Sequence, residues 1–446
     1  MMELLLDRVQ HTRSALREHM LETIFNEFDV ECMGLDEEKR KIKYHEMMES
    51  PFRFFRGSAY LFYYDVTKIP FPYHTPADKP AWIQGDLHMD NFGCFQNEAG
   101  KIVYDINDFD EGYIGSYLYD ILRMTVSIAL YTDAEELGEK EQKKRIVHYL
   151  RSYYKQLQRF KEDKDDPLTL TFTKENTKGP VKKVLNKLGK RQRHHLLADI
   201  TSINEKGERT FNWDEEIKPV TDEELGKIKE VMQQYFLTID AENKQDPSHY
   251  QVKDVARKYG TGTASIGLSR YYILIEGGQE AGGTDDLVLE MKEVRTSIPA
   301  YFLPYSSVFW EKHAHQGERV VATQKAMHHL EDPYLGYVTM DDKHFYIRER
   351  SPYKKKVKAE NFTTLKDYDQ TLNIMGRVTA KIHARADADI ESTLLTHHSE
   401  VEILKAIGDD VDQFIHHITY VAVNYKEQVK YDYTLFCNWV EENFDK

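Results

Sequence analysis

The first fifty positions of the chain place apolar residues at the spacing of a helix. The apolar positions that carry this pattern are Leu4, Leu5, Val9, Leu16, Met20, Ile24 and Phe28. Residues three or four apart lie on one face of a helix, so helices with one apolar face are predicted here. Similar patterns predict further helices over 114–130, 135–160, 317–330, 367–385 and 400–446.

Short apolar runs rich in β-branched and aromatic residues lie between the helical segments, and such runs are typical of strands. One group lies around residues 81–83 and 102–106. The other group comprises residues 271–275, 287–291, 334–338 and 343–347. The expected fold class is therefore α+β.

Composition narrows the class of protein. Of the 446 residues, 41% are hydrophobic and 30% are charged, as in ordinary soluble globular proteins. The net charge of −15 argues against nucleic-acid and anionic-membrane partners. No apolar stretch is long enough to span a membrane, and the N-terminus does not resemble a signal peptide. Three well-separated cysteines favour a reducing compartment, so we expect a cytoplasmic protein.

The stretch from Gln84 to Glu111 concentrates polar and acidic residues between the strand-like runs. It contains Asp86, His88, Asp90 and Asn91 in its first half and Asp105, Asn107, Asp108, Asp110 and Glu111 in its second half. Converging carboxylates repel one another. They are tolerated where they bind a hard cation, accept protons or are well solvated.

The spacing within this stretch matches a phosphotransfer site. In that template an Asp accepts the proton of the substrate hydroxyl, an Asn about five residues later holds metal, and a second Asp bridges metal and phosphates. Asp86, Asn91 and Asp108 have this order, and Asp110 is a possible second ligand. His88 either contacts substrate or braces the loop. The alternative is an acidic loop that only closes a hairpin.

Arg56, in the run FFRGSAY, is a candidate clamp for phosphate or carboxylate, because a guanidinium matches both geometries. The alternative is a structural ion pair with the acidic loops.

A glycine-rich turn precedes the second group of strands. It contains Gly260, Gly262 and Gly267, and Lys292 follows the run 287–291. Kinases cover the nucleotide phosphates with such a turn and contact them with a lysine on the third strand. A Rossmann motif is excluded because the glycines open onto strands, and a P-loop lacks its Gly-Lys-Ser/Thr ending. By themselves, the glycines are also compatible with an ordinary hairpin and Lys292 with a surface position.

The motifs GDLHMDN and NDFDE resemble the catalytic and metal loops of the protein-kinase-like superfamily, in its aminoglycoside and choline kinase branch. Together with FFRGSAY they resemble more closely a bacterial family, domain of unknown function 2252, over most of the chain. The superfamily resemblance implies a two-lobe fold that binds ATP and Mg²⁺. It also implies that Asp120 hydrogen-bonds the catalytic-loop backbone, that Glu318 or Gln324 partners Lys292, and that Arg348 begins the hinge beside the nucleotide.

The order of these elements is unusual for that superfamily, because the catalytic loop precedes the glycine-rich turn. We therefore expect a circular permutation in which the helix over 367–385 returns to the strand at Ala81. The predicted units are a large helical catalytic lobe (1–250), a small β-rich nucleotide-binding lobe (251–352) and C-terminal helices that return to the large lobe (353–446). The run Lys354–Lys358 is predicted to be a solvated turn.

The sequence thus predicts an ATP- and Mg²⁺-dependent phosphotransferase that acts on a small-molecule or protein hydroxyl of unknown identity. Three alternatives remain open: AMP transfer on the same fold, a metal-dependent hydrolase built on the Asp and His cluster, and a nucleotide-binding pseudokinase.

Overall fold

A computed structural model describes residues 2–97, 99–190, 194–260, 262–278, 285–330, 332–351 and 353–444. The helices are α1 (Met2–Phe25), α2 (Glu37–Met47), α3 (Pro51–Gly57), α4 (Ala59–Val66), α5 (Leu118–Ala134), α6 (Glu139–Lys161), α7 (Gly179–Leu188), α8 (His194–Ile200), α9 (Asp222–Thr238), α10 (Ser307–Lys312), α11 (Gln316–Met327), α12 (Leu365–Arg385), α13 (Ala388–Glu391), α14 (Ser399–Ile407) and α15 (Val411–Phe444). The strands are β1 (Ala81–Ile83), β2 (Phe92–Gln96), β3 (Ile102–Ile106), β4 (Tyr113–Gly115), β5 (Thr201–Ile203), β6 (Arg209–Phe211), β7 (Ile217–Pro219), β8 (Val252–Lys258), β9 (Arg270–Ile275), β10 (Leu287–Val294), β11 (Gly336–Met340) and β12 (Lys343–Glu349). The α+β prediction is confirmed.

Local chemistry fixes several helix boundaries. The Ser50 hydroxyl accepts the backbone N–H of Arg53, and Pro51 occupies the first turn, so α3 begins at Pro51. The Thr364 hydroxyl caps α12 in the same way by accepting the N–H of Asp367. These caps satisfy backbone donors that a helix start leaves without partners.

The largest sheet is antiparallel, with strand order β11-β12-β10-β9-β8-β7. Helix α9 packs on β11, and its Ile228, Met232 and Tyr235 share an apolar core with the sheet. Residues that pack with this sheet therefore begin well before residue 251, where the sequence placed the boundary of the small lobe. The other predicted boundary, at residue 352, lies outside the described residues.

A larger core joins the N-terminal and C-terminal helices. Helix α12 packs along α6, and α15 packs against α5 and α6. Helix α15 also contacts α1 and α3, so the end of the chain returns to the region of the first hundred residues, and α12 contacts β1. Within the described ranges, no helix has both the length and the apolar character that crossing a lipid bilayer requires.

Two small antiparallel pairs frame the polar stretch from Gln84 to Glu111. In one pair, Ile83 of β1 lies opposite Tyr113 of β4. In the other pair, Phe92 of β2 lies opposite Ile106 of β3. Since both pairs are antiparallel, the segments 84–91 and 107–112 lie side by side, and their polar side chains share one site.

Candidate active site

Gly85 allows the two polar segments to approach each other closely. Its φ is +89°, and a Cβ built on it would lie 2.0 Å from the backbone oxygen of Glu111. Any other residue would adopt a strained backbone conformation here, and its Cβ would overlap the backbone oxygen of Glu111. The backbone oxygen of Gly85 also accepts the Tyr63 hydroxyl at 2.7 Å. The turn that carries Asp86 is thus fixed from two sides.

Asp120, on the first turn of α5, anchors the same turn. Its carboxylate accepts the backbone N–H groups of Gln84 at 2.7 Å and Gly85 at 2.9 Å. His383 Nε2 lies 3.1 Å from Asp120 Oδ2, and the Tyr153 hydroxyl lies 2.9 Å from His383 Nδ1. Asp120 therefore makes the backbone contacts that the resemblance implied, and α12 supplies further support through His383.

Asp86 lies at the centre of the site and is largely buried. Arg123 Nε donates to Asp86 Oδ1 at 2.5 Å, while Asp86 Oδ2 has His88 Nε2 at 3.7 Å. Burial raises the pKa of Asp86, although the charges of Arg123 and Arg56 favour its ionised form. One oxygen is thus held by a guanidinium, and the other accepts no hydrogen bond from the described residues.

His88 and Arg56 lie on one side of Asp86. Arg56 Nη1 donates to Asp90 Oδ2 at 2.7 Å, and Arg56 Nε lies 3.3 Å from His88 Nε2. Burial, together with the neighbouring charge of Arg56, holds the pKa of His88 well below its usual range. His88 is therefore neutral at physiological pH. Both interpretations of Arg56 are still open, because it forms an ion pair and its side chain is only partly buried.

Asn91 and Asp108 lie on adjacent segments. The Asn107 N–H donates to the backbone oxygen of Asn91 at 2.8 Å, which places residue 91 next to the start of the NDFDE motif. Asn91 Oδ1 accepts the His88 N–H at 2.7 Å and keeps a second lone pair. Burial by itself raises the pKa of Asp108, but nearby cations, first of all Lys292, outweigh it and hold this pKa below its ordinary value.

Lys292, on β10 of the large sheet, contacts the NDFDE motif. Its Nζ donates to Asp110 Oδ2, while Asp110 Oδ1 is buried and has no hydrogen-bond partner in the described part of the chain. Lys292 hydrogen-bonds neither Glu318 nor Gln324 of α11, the two partners that the resemblance suggested. Gln324 Oε1 is itself buried with no partner among the described residues.

The glycine-rich turn joins β8 to β9 and covers the carboxylates. Gly260 and Gly267 have positive φ values of 68° and 85°, and nothing lies within 4 Å of a Cβ built on Gly262. Ser265 and Leu268 of this turn line a cavity of about 70 Å³. The cavity is also lined by Asp86, Asp108, Asp110 and Glu111. The predicted turn and the predicted acidic cluster therefore face the same space.

A larger cavity of about 340 Å³ lies beside this cluster, between the β2–β3 pair and the large sheet. Arg348 lines it and donates to Glu290 Oε2 from Nε at 3.0 Å and from Nη2 at 2.9 Å. Its remaining lining includes Phe95, Asn107, Phe109, Gln324, His328, Tyr334, Arg350, Ser351 and Lys354. The volume falls in the range of small-ligand sites, and the lining contains both aromatic rings and polar groups.

Sequence reasoning missed several residues of the site. Arg123 follows Asp120 by three positions, and this spacing on a helix already indicates a shared face. Glu111 was noted only as part of the cluster; burial raises its pKa to about 7. Lys354 and Lys356 were assigned to a solvated turn, yet this segment pairs with β2 through Cys94 and Lys355.

A family model described as "Uncharacterized protein conserved in bacteria (DUF2252)" matches residues 35–439. The chain belongs to the DUF2252 family. This match confirms the resemblance to the domain of unknown function 2252 family. No curated protein and no solved structure matches the DUF2252 chain.

The donor set of this DUF2252 site suits a magnesium ion. Mg²⁺ takes oxygen ligands and is commonly held by one or two carboxylates together with water and phosphate oxygens. Asn91 Oδ1, the ionised Asp108 and the unpartnered Asp110 Oδ1 are such oxygens. The residues present therefore fit the ion that the sequence predicted.

Elsewhere in the DUF2252 chain, three side chains lie close enough together to be considered as metal ligands. In the described residues, the ligand atoms of Asp387, His398 and Glu400 lie within 4.8 Å of one another. However, Asp387 already accepts the N–H groups of Asp389 at 3.0 Å and Ser399 at 2.8 Å. These hydrogen bonds lie at the starts of α13 and α14, so the cluster is explained by helix capping without a metal ion.

Proposed function

We propose that this protein is an ATP- and Mg²⁺-dependent phosphotransferase of kinase-like type that acts on a hydroxyl acceptor. The carrying observation is the contact between Lys292 of the large sheet and Asp110 of the NDFDE motif. The glycine-rich turn lines the same cavity as Asp86 and Asp108. Two parts of the chain that are far apart in sequence thus supply the complementary halves of the phosphotransfer template.

The roles follow from the contacts of each side chain. Asp86 Oδ2 would orient the acceptor hydroxyl and take its proton, while Arg123 holds Oδ1. Asn91 and Asp108, with Asp110 as a possible further ligand, would hold Mg²⁺, which when bound offsets the charge of the phosphate oxygens. Lys292 would turn from Asp110 to those oxygens, and the cavity lined by Arg348 would take the nucleoside.

The kinase-like two-lobe arrangement and its circular permutation are part of this proposal. Along the chain, β8, the glycine-rich turn, β9, β10, α11, β11 and β12 follow one another in the predicted order. Helix α12 follows β12 and contacts β1, the strand that leads into Asp86. This contact supports the proposal that the helix preceding the catalytic loop in the superfamily is here joined to it only in space.

The contacts disfavour a dinuclear hydrolase. Asp86, Asp90 and Asp110 each contact a cationic side chain, namely Arg123, Arg56 and Lys292. Because these cationic side chains already offset the negative charge of the carboxylates, two metal ions are not required to offset it. AMP transfer uses the same residues and differs only in which phosphorus is attacked, so the reaction products distinguish it from phosphoryl transfer.

The first experiment measures the thermal unfolding midpoint with ATP, with Mg²⁺ and with both. We expect the large increase only with both, since a ligand at about a hundred times its dissociation constant adds roughly 2.7 kcal/mol. An increase with Mg²⁺ alone would favour the hydrolase, and no increase would contradict nucleotide binding. Analysis of products then separates ADP from AMP formation, and nucleotide binding without turnover in an acceptor screen would favour the pseudokinase.

A further inference from the structure

We propose that Lys354 and Lys356 bind phosphate oxygens of the nucleotide, as a second cationic contact besides Lys292. This inference rests on the proposed function and adds a binding element to its site. Neither the phosphotransfer template nor the sequence pattern assigned these two lysines to the site.

Backbone pairing determines where the two side chains lie. The Cys94 N–H donates to the Lys355 oxygen at 2.7 Å, and the Lys355 N–H donates to the Cys94 oxygen at 2.9 Å. This bridge holds the segment extended against β2. In an extended segment, alternate side chains lie on one face about 6–7 Å apart along the chain. Lys354 and Lys356 therefore share a face, and Lys355 lies on the other.

The surroundings of the three lysines agree with this alternation. Lys354 lines the 340 Å³ cavity with Arg348 and Glu290. Lys356 lies close enough to Asp90, Arg56 and Asp108 for their charges to act on it. Lys355 instead has Lys187 and Glu360 as its charged neighbours.

Neither Lys354 nor Lys356 has a hydrogen bond or an ion pair within the described part of the chain. Of the carboxylates near the two lysines, Asp108 alone has no ion pair in the described part of the chain, and it is the proposed metal ligand. Glu290 is bound by Arg348 and Arg270, Asp110 by Lys292, and Asp90 by Arg56. Lys354 is exposed to the cavity, and Lys356 is half-buried. Two lysines that lie at the cavity and near Asp108, without an ion pair in the described part of the chain, indicate that a bound ligand supplies the anion.

The position of the pair indicates phosphate rather than another anion. Lys354 lies at the nucleoside-sized cavity, and both lysines act on Asp108, the proposed metal ligand. A polyphosphate chain that leaves the cavity toward Asp108 passes both ammonium groups. Lysine is a common point-charge partner of phosphate in nucleotide sites.

The test compares the double variant K354M/K356M, and each of its single variants, with K355M, a control that removes one positive charge from the other face. Calorimetric titrations with adenosine, AMP, ADP and ATP, each with Mg²⁺, measure how affinity depends on phosphate number. We expect the double variant to bind ATP at least about tenfold more weakly than wild type, because charged hydrogen bonds are lost. Adenosine affinity should not change, and K355M should match wild type throughout. K354R/K356R should restore most of the ATP affinity.

The outcomes separate this inference from the proposed function. Wild-type ATP affinity in the double variant would overturn the inference alone. Failure of wild type to bind any of the nucleotides would overturn the proposed function and this inference with it. Unliganded unfolding midpoints of all variants are measured first, and K354Q/K356Q replaces the methionine variant if that variant does not fold.

Discussion

At the scale of single residues, Asp86 combines a fixed position with one open oxygen. Arg123 binds Oδ1 at 2.5 Å, and Arg123 is itself held by the backbone oxygen of Phe55 at 2.9 Å and by the ring of Phe55. Nε2 of the neutral His88 lies 3.7 Å from Oδ2. A hydroxyl that approaches Oδ2 therefore meets an acceptor whose orientation the protein sets in advance.

This arrangement predicts that Asp86→Asn loses turnover and keeps nucleotide binding. An amide cannot accept the hydroxyl proton, and loss of a general base costs about 10²- to 10⁴-fold in rate. ADP or AMP formation and ATP affinity are measured in parallel. Asp341→Asn, at an exposed turn between β11 and β12, serves as control and should match wild type. Turnover that survives in Asp86→Asn would remove Asp86 from its assigned role.

His328 is predicted to make the free energy of unfolding depend on pH. It is buried between Phe95 and Phe109, and its Nε2 lies 2.8 Å from the Ile106 oxygen. Burial lowers the pKa of His328 to about 4. Because the folded pKa lies below the unfolded one of about 6.5, the contribution to stability is complete above pH 6.5 and is lost as pH falls toward 4.

The predicted loss is about 3 kcal/mol in the free energy of unfolding, from about 1.4 kcal/mol per pKa unit. Urea unfolding of wild type and His328→Gln between pH 7.5 and 4.5 measures it, since glutamine cannot take up the proton. The stability of wild type relative to the variant should fall with decreasing pH. A constant difference would contradict the buried neutral histidine.

At the scale of elements, the tight turn after β1 depends on glycine for two separate reasons. Gly85 has a positive φ, and it faces the backbone oxygen of Glu111 at a distance that excludes a Cβ. Gly34 has a positive φ of 63°, and a Cβ added there would meet nothing within 4 Å, so it isolates the first reason.

We therefore predict different costs for the same substitution at the two turns. Gly34→Ala should cost about 1–2 kcal/mol, the penalty of a left-handed alanine. Gly85→Ala adds steric overlap with backbone and should cost about 3 kcal/mol or more in total. Chemical denaturation of both variants gives the comparison. Equal costs would mean that the segments 84–91 and 107–112 are not in close contact.

Local patterns explain which elements the sequence could predict. The strands around residues 81–106 and 270–349, the glycine-rich turn and the helix over 367–385 all show periodicity or turn chemistry within a short window. The packing of α9 and β7 with the large sheet has no such local signal, because a charged amphipathic helix does not reveal its partner. The boundary predicted at residue 251 therefore does not take the packing of α9 and β7 into account.

The same reason accounts for what was missed at the site. Arg123 could have been found from its helical spacing to Asp120. Lys354 and Lys356 could not, because their orientation depends on the bridge between Lys355 and Cys94, a contact between distant parts of the chain. The resemblance placed the partner of Lys292 on α11, whereas the residue it contacts, Asp110, lies almost two hundred positions earlier.

At the scale of the whole molecule, the site lies where the large sheet meets the segments around Asp86 and Asp108. The Lys292–Asp110 contact joins these parts, and the glycine-rich turn also packs against α2 and α3. A nucleotide bound between them would replace a contact within the protein by contacts to its phosphates. Ligand binding should therefore stabilise both parts together.

Lys292→Met tests this coupling. At ATP and Mg²⁺ concentrations about a hundred times the wild-type dissociation constant, wild type gains roughly 2.7 kcal/mol, and a variant with hundredfold weaker binding gains only about 0.4 kcal/mol. Each protein is compared with its own unliganded midpoint, because loss of the lysine leaves Asp110 without its cation and lowers the stability of the free protein. Lys343→Met, on β12 and paired with Glu293 at a half-exposed position, is the matched control and should retain the full gain. An undiminished gain in Lys292→Met would show that the sheet does not contribute to the nucleotide site, even if Asp86 and Asp108 keep their proposed roles.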